Sequence, residues 1–309
     1  MTDFTEDTQL LHADAALEQP LQRVAYEAGM LLGLEATRDE QAYHRRRLTR
    51  HQYWLQGYGT LAGMRVSIDP PVTAETKAIS TRIVVGQGVG IDGLGREVMI
   101  HEPYGIDIAD WIRAQDATSL YVGYDDPADI LHLRVSVRYQ EVPVGLQPVL
   151  ARKLNLSTDA VQPSRMSDSI QLELTAELPS SDDRFQPWGV HSPVANATPA
   201  GLSGTESAYL AGITDATRQA QLQLHARLLH CLDDAGVSAQ LAADELASGA
   251  SLLLARIEID VPDLDVLLDS KEGQPLVNPA AIRVNNLVRP FLVTASQIHY
   301  LLPAIKALP

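Results

Sequence analysis

One cysteine in 309 residues, Cys231, excludes an intrachain disulfide and a cysteine-based zinc cluster, and fits a reducing compartment. Its setting, Leu228-Leu-His-Cys-Leu, has a helical pattern, so the thiol is expected to be a packed core group. Basic residues are scarce as well: 24 Lys and Arg against 39 Asp and Glu leave a formal charge of −15. Binding to nucleic acid or to an anionic lipid face depends on cations that neutralise phosphates, so neither is expected as a general partner. No apolar run approaches the ~20 residues of a membrane span. The opening Met1-Thr-Asp-Phe-Thr-Glu-Asp lacks the basic-then-apolar order of a signal peptide. The expectation is a soluble chain, cytoplasmic when synthesised.

The usual marks of catalysis are missing too. There is no G-x-S-x-G nucleophile elbow and no G-x-x-x-x-G-K-[ST] phosphate loop. Gly88-Val-Gly-Ile-Asp-Gly93 matches the letters of a dinucleotide fingerprint, but Leu94-Gly-Arg-Glu-Val-Met-Ile follows with the pattern of a strand. No helix N-terminus is available there to hold a pyrophosphate, and a glycine-rich hairpin turn is expected instead. The pairs His44/His51 and His225/His230 lack the i, i+4 spacing around a glutamate that builds a metalloprotease helix. Asp92, Arg96 and Glu97 cluster at the hairpin tip, where an arginine beside carboxylates spoils a general acid and suits a turn-stabilising salt bridge. Asn155-Leu-Ser and Asn196-Ala-Thr satisfy the glycosylation pattern, which is short enough to arise by chance. No catalytic, cofactor-binding or metal-ligating residue is assigned, and the chain is not expected to be an enzyme.

What the chain does have is 45% apolar residues in a length that can bury two or three packed units. The pattern predicts an α+β fold: an N-terminal helix, an antiparallel β-rich middle unit, then a helical segment and further strands in the C-terminal part. Residues 1–20, with Asp3, Glu6, Asp7, Asp14 and Glu18, read as an extended acidic arm that orders against a partner. Residues 21–66 form a basic helical segment, 67–180 a β-rich domain, 181–204 a linker or long loop, and 205–309 a C-terminal α/β region. Ile83, Val85, Val89 and Ile91 alternate before Asp92-Gly-Leu-Gly95, and Arg96–Ile100 returns as the second arm of a hairpin. Leu131, Leu133, Val135, Val137 and Tyr139 alternate with polar residues, predicting a sheet with one buried and one wet face, and Ile170–Ala176 repeats the pattern. A helix is expected from about Thr214, with Ala220, Leu224, Leu228 and Cys231 in register, and a second over Ser238–Ala247. Leu252–Val261 suggests another buried strand, and Pro303 weakens a helix in the tail Ser296–Leu308.

The segment Val24–Val66 concentrates Arg, His and aromatic side chains in an otherwise acidic chain. Thr37-Arg-Asp-Glu40 fits a capping box that starts a helix running to about Gly57 or Gly59. Along it His44, Leu48, His51, Leu55 and Tyr58 recur at three- and four-residue steps as a packing stripe, with Tyr43 and Trp54 flanking. Arg45, Arg46, Arg47 and Arg50 spread over the rest. They fit either a solvated face with intramolecular acidic partners or a docking face for acidic neighbours, in which Tyr43, Arg45, Arg46, Arg47, Arg50, Trp54 and Tyr58 contact the partner.

Within this segment Tyr26-x-x-Gly-Met-Leu-Leu, Tyr43-His-Arg-Arg-Arg, Gly57-x-Gly and Gly63-Met-x-Val resemble the baseplate-associated structural proteins of phage-tail-like contractile injection systems. The turn Ile91-Asp-Gly-Leu-Gly-Arg96 is similar to the I-D-x-x-G-R turns of those proteins. Val137-Arg-Tyr-Gln-Glu-Val-Pro and Pro163-Ser-Arg-Met-Ser-Asp-Ser-Ile-Gln-Leu-Glu-Leu resemble their later strands. The matches span about 24–178; nothing after Pro179 is matched, and the acidic arm is longer than the family pattern. The resemblance implies a structural subunit at or near a baseplate, part of an assembled particle. Its partners would be other baseplate, sheath or tube proteins and copies of itself, without nucleic acid and without direct membrane insertion. Two other classes stay open: a soluble enzyme or small-molecule-binding protein whose site is scattered in sequence, and an assembly chaperone or cargo adaptor.

Overall fold

A computed structural model describes residues 22–69, 81–148, 161–179, 202–235, 249–268 and 281–306. The fold is α+β. It divides into two compact units, one of Met1–Gly57 with Phe185–Gly249 and the other of Tyr58–Arg184 with Ala250–Pro309. The boundaries expected from sequence therefore shift: strands begin within 21–66, and the C-terminal strands belong with the middle ones. The expected arm 1–20, most of the loop 181–204 and the helix Ser238–Ala247 lie outside the described residues.

The first unit holds helix α1 (Leu34–Gln56), 23 residues long. It begins earlier than the sequence suggests. Thr37 sits inside it, with its hydroxyl donating back to the Gly33 carbonyl at 3.4 Å, a helix-interior bond rather than a cap. Glu40 is drawn elsewhere: its carboxylate accepts from Val24 N at 3.2 Å and contacts His44 Nε2 at 3.0 Å. The S-x-x-E box that does form is Ser203/Glu206, with the Glu206 carboxylate accepting from Ser203 N at 2.8 Å. It opens α4 (Gly204–Ala211), a helix ahead of the first one expected in the C-terminal region, from about Thr214. Asp215 then caps α5 (Ala216–Ala235) through Arg218 N at 2.7 Å. The Cys231 side chain lies outside the described residues.

The second unit carries three antiparallel sheets. Strands β1 (Gly59–Gly63), β4 (Gly88–Ile91) and β5 (Glu97–Ile100) form one, in that order, and β2 (Val66–Asp69), β3 (Arg82–Val85) and β6 (Tyr104–Asp107) another. The third contains β7 (Tyr124–Asp125), β8 (Ile130–Pro148), β9 (Val161–Ala176), β10 (Ser251–Asp260) and β11 (Ile282–Asn285). It runs β11-β10-β8-β7, with β9 also on β8. Short helices α2 (Ile108–Ala114), α3 (Ala117–Tyr121) and α6 (Leu264–Leu268) and the terminal α7 (Ala295–Lys306) complete it. Helix α7 continues through Pro303, where the sequence suggested a break.

The expected hairpin forms between β4 and β5, but Ile83–Ile91 is not one strand. It divides at Gly86-Gln87 between two sheets. A Cβ on Gly88 would lie 2.3 Å from Met64 N, and one on Gly63 (φ +69) 2.2 Å from the Gln87 carbonyl oxygen. Backbone passes too close for side chains there, so the glycines are what let the chain change sheets. Met64 follows with φ 53 and is fully buried.

The core gathers Ile83, Val85, Val98, Ile112, Leu133, Val137, Leu254 and Ile257 with α6 and β11 residues into one cluster. Strand β10 is buried over Leu252–Ile257, as its continuous apolar run predicts. The second face of β8 is not wet, contrary to the sequence reading. His132 and Ser136 are buried there, and the face is closed by Arg256–Glu177 at 3.0 Å, Arg134–Glu177 at 3.4 Å and Arg138–Glu173 at 3.6 Å. Charged residues read as solvent-facing because the partner strands that neutralise them lie far along the chain.

Candidate docking surfaces

Helix α1 has a covered side and an open side. Ala42, Tyr43, Arg45, Arg46 and Arg50 are half-buried and Thr49 is buried, whereas His44, Arg47, Leu48, His51 and Leu55 are exposed. The anticipated packing stripe therefore faces outward: Leu48 is 57% and Leu55 70% exposed. This inverts the sequence reading, in which leucines marked the inner face and arginines the outer one.

The arginines are arranged within the helix before any partner arrives. Arg47 Nη1 donates to the Tyr43 hydroxyl at 2.9 Å, and the Tyr43 ring meets His44 edge-on at 5.3 Å between centroids. Burial, and next the neighbouring charge of Arg46, lowers the pKa of Arg50 from its usual value. The Arg46 Nε is buried without a hydrogen-bond partner. Like charges held this close repel. Of the other proposed contacts, the Trp54 side chain lies outside the described residues. Tyr58 follows the helix and packs on the β-rich core of the second unit, so it is a core residue there.

The exposed residues of this segment that sequence reasoning passed over as contacts are apolar: Tyr26, Met30, Leu31 and Leu34 are more than half exposed, Leu31 reaching 98%, and Leu32 is 49% exposed. The signal available in sequence was the run Gly29-Met-Leu-Leu-Gly-Leu34, apolar yet too short and glycine-bounded to be a core helix.

Two further surfaces lie on the second unit. Strand β10 leaves β8 at Arg138, while β8 and β9 continue together to the pair Pro148↔Val161. The extension is a two-stranded ribbon on which Val142, Val144, Leu146 and Met166 are exposed. An apolar cleft of about 250 Å³ opens beside Tyr104, Ile106, Leu172, Glu173 and Leu174. Its one charged lining residue, Glu173, is engaged by Arg138.

The Asp92–Arg96 turn is a structural pair. The fully buried Asp92 carboxylate accepts from Leu94 N at 2.9 Å, Arg96 N at 2.8 Å and Arg96 Nε at 2.8 Å, with Arg96 Nη2 at 2.7 Å. Desolvation pushes the Asp92 pKa up, and Arg96 with the backbone donors pulls it back. The Arg96 guanidinium also lies over the Tyr139 ring, 5.3 Å from its centroid. Every acceptor of this carboxylate is used, which leaves it nothing to offer a substrate.

Among the described residues no three His, Cys, Asp or Glu side chains are grouped to hold a metal ion. No helix among them is long and apolar enough to cross a membrane. No family model matches the chain, and no curated protein matches it.

Proposed function

We propose that this protein is a non-catalytic structural subunit of a phage-tail-like contractile injection particle, at or near the baseplate, and that it acts through protein–protein contacts. The observation that carries the reading is the exposure of Leu48 and Leu55 on the open side of α1, together with the exposed residues Tyr26–Leu34 that precede it in sequence. Large apolar side chains left exposed in this number are the usual mark of a surface that is covered in an assembly. The sequence resemblance over 24–178 supports the particle assignment, and the β8–β9 ribbon offers a second edge for a neighbour. The small-molecule alternative would draw on the cleft beside Tyr104, whose polar lining is already occupied.

The test is incorporation. Particles purified from cells making Leu48→Asp/Leu55→Asp should lack this subunit or fail to assemble, while the isolated variant keeps the wild-type circular dichroism. The charge-reversed Arg38→Glu/Arg47→Glu chain, changed at the two exposed arginines of α1, should behave the same way. Normal particles from both variants would remove the reading.

A further inference from the structure

The open side of α1 has a seven-residue rhythm. Leu34, Gln41, Leu48 and Leu55 stand seven apart, and Thr37, His44 and His51 fall three residues after the first three of them. All seven of these side chains are exposed. They occupy the two core positions of a coiled-coil heptad, on the side of the helix away from Ala42, Tyr43, Thr49 and Arg50.

One flank of this seam carries both signs of charge, with Glu40 and Arg47 seven residues apart. Glu40 accepts from Val24 N through Oε2 at 3.2 Å and meets His44 Nε2 through Oε1 at 3.0 Å, so each oxygen keeps a lone pair for a further donor. Arg47 gives Nη1 to the Tyr43 hydroxyl at 2.9 Å and has its other donors left for a carboxylate. A helix with acidic flanks would set an acid against Glu40, and one with basic flanks a cation against Arg47. A second copy of α1 running antiparallel, with its His44 opposite Leu48, sets its Arg47 against Glu40 and its Glu40 against Arg47. The flank is thus complementary to itself about a two-fold axis.

That register also brings leucine to leucine. Leu48 lies next to Leu48 of the second copy at the axis, and Leu55 next to its Leu34 at each end. On the other flank Arg45 comes opposite Gln52, with no like charge against it. Sliding one helix by a heptad in either direction would oppose Glu40 to Glu40 or Arg47 to Arg47. A parallel pair would stack His44 on His44 and His51 on His51, and would offer Glu40 only Arg45, which is half-buried and has a partner in its own chain.

We propose that the open face of α1 is a self-association surface, on which α1 of a second copy of this chain packs antiparallel in the Glu40–Arg47 register. The proposal rests on the docking reading of α1 and not on the particle assignment: association is measured on the isolated chain, incorporation on particles.

Sedimentation equilibrium of the full chain should show a monomer–dimer equilibrium with Kd on the order of 10–100 μM, as expected where polar side chains share the core positions with leucine. Leu48→Asn/Leu55→Asn should leave a monomer with unchanged circular dichroism. Arg47→Glu and Glu40→Arg should each weaken the dimer at least about tenfold, because each opposes like charges at two symmetric places. Mixed one to one, those two variants should form a heterodimer as tight as the wild type, a recovery that misfolding would not produce. In a Cys231→Ser background, Gln41→Cys should form a disulfide with His51→Cys but not with itself, since the two copies of position 41 lie about 15 Å apart along the axis. A chain that stays monomeric at ~500 μM would overturn the proposal, as would a dimer indifferent to Leu48→Asn/Leu55→Asn. Failure of the mixed variants to associate, or a disulfide between two copies of Gln41→Cys, would equally refute it.

Discussion

Replacing Asp92 by Ala tests the physical reading of the glycine-rich turn. The substitution strips Arg96 of its Nε hydrogen bond at 2.8 Å and of the ion-pair contact of Nη2 at 2.7 Å, both to Asp92 Oδ2, while leaving its side chain only 10% exposed. It also orphans the N–H groups of Leu94 and Arg96. Breaking a buried pair from one side costs about 3–5 kcal/mol, because the remaining charge stays desolvated. With a urea dependence of ~2 kcal/mol per molar, the midpoint for the β-rich unit should fall by about 2 M. The partner substitution Arg96→Met should cost less, because a buried carboxylate can take up a proton and an arginine cannot shed one.

The sign of the pH dependence follows. Without Arg96 the folded-state pKa of Asp92 stays above its ordinary value of 3.8, held there by desolvation. Stability of Arg96→Met should be greatest in acid near that value and be lost as pH rises through the raised pKa. The assay is urea unfolding by circular dichroism at a series of pH values. A loss below about 1 kcal/mol for Asp92→Ala, or an Arg96→Met chain that gains stability as pH rises over that window, would refute the reasoning.

Other substitutions probe the rest of the frame. Gly63→Ala places a Cβ 2.2 Å from a carbonyl oxygen at positive φ, and should lower the melting temperature by roughly 6–12 °C for a cost of ~3 kcal/mol. Arg289 is buried without an acidic partner among the described residues and donates to the carbonyls of Met64 at 2.8 Å and Asn286 at 3.0 Å, with its pKa lowered to about 10 by burial. Arg289→Lys keeps the charge but loses the fork and should cost about 1–3 kcal/mol in urea unfolding. The Asp260 pKa is lowered by hydrogen bonding to Arg283, so its contribution is present above the ordinary value of 3.8 and lost as pH falls below it. Arg283→Gln should consequently narrow the stability gap between neutral and acid solution, measured as the acid-unfolding midpoint.

The period-two strands were the most legible part of the fold, because side-chain alternation is imposed by the pleat itself. The β4–β5 hairpin, the β8 and β9 strands and buried β10 all stand where alternation or a continuous apolar run places them. What local pattern could not carry was pairing at long range. The β8 face bearing Arg134 and Arg138 looked solvated because Glu173, Glu177 and Arg256, which close it, are distant in sequence. Thr37 illustrates a second failure: S/T-x-x-E is a cap only where the chain enters a helix, and Leu34 had already begun one.

The candidate site was half legible. The segment stood out by composition, yet the helix was turned the wrong way round, because an apolar stripe normally faces a core. Here Leu34, Leu48 and Leu55 are left outside, and Arg45, Arg46, Thr49 and Arg50 are on the covered side. That reversal is itself the strongest physical argument for a partner.

The most direct measurement is photo-crosslinking from position 48 of α1 in purified contractile particles, with the chain quantified against the other subunits by mass spectrometry. The account predicts a fixed stoichiometry and a crosslink from position 48 to another subunit of the particle. Absence of the chain from purified particles, or its presence with position 48 still open to solvent and uncrosslinked, would contradict it.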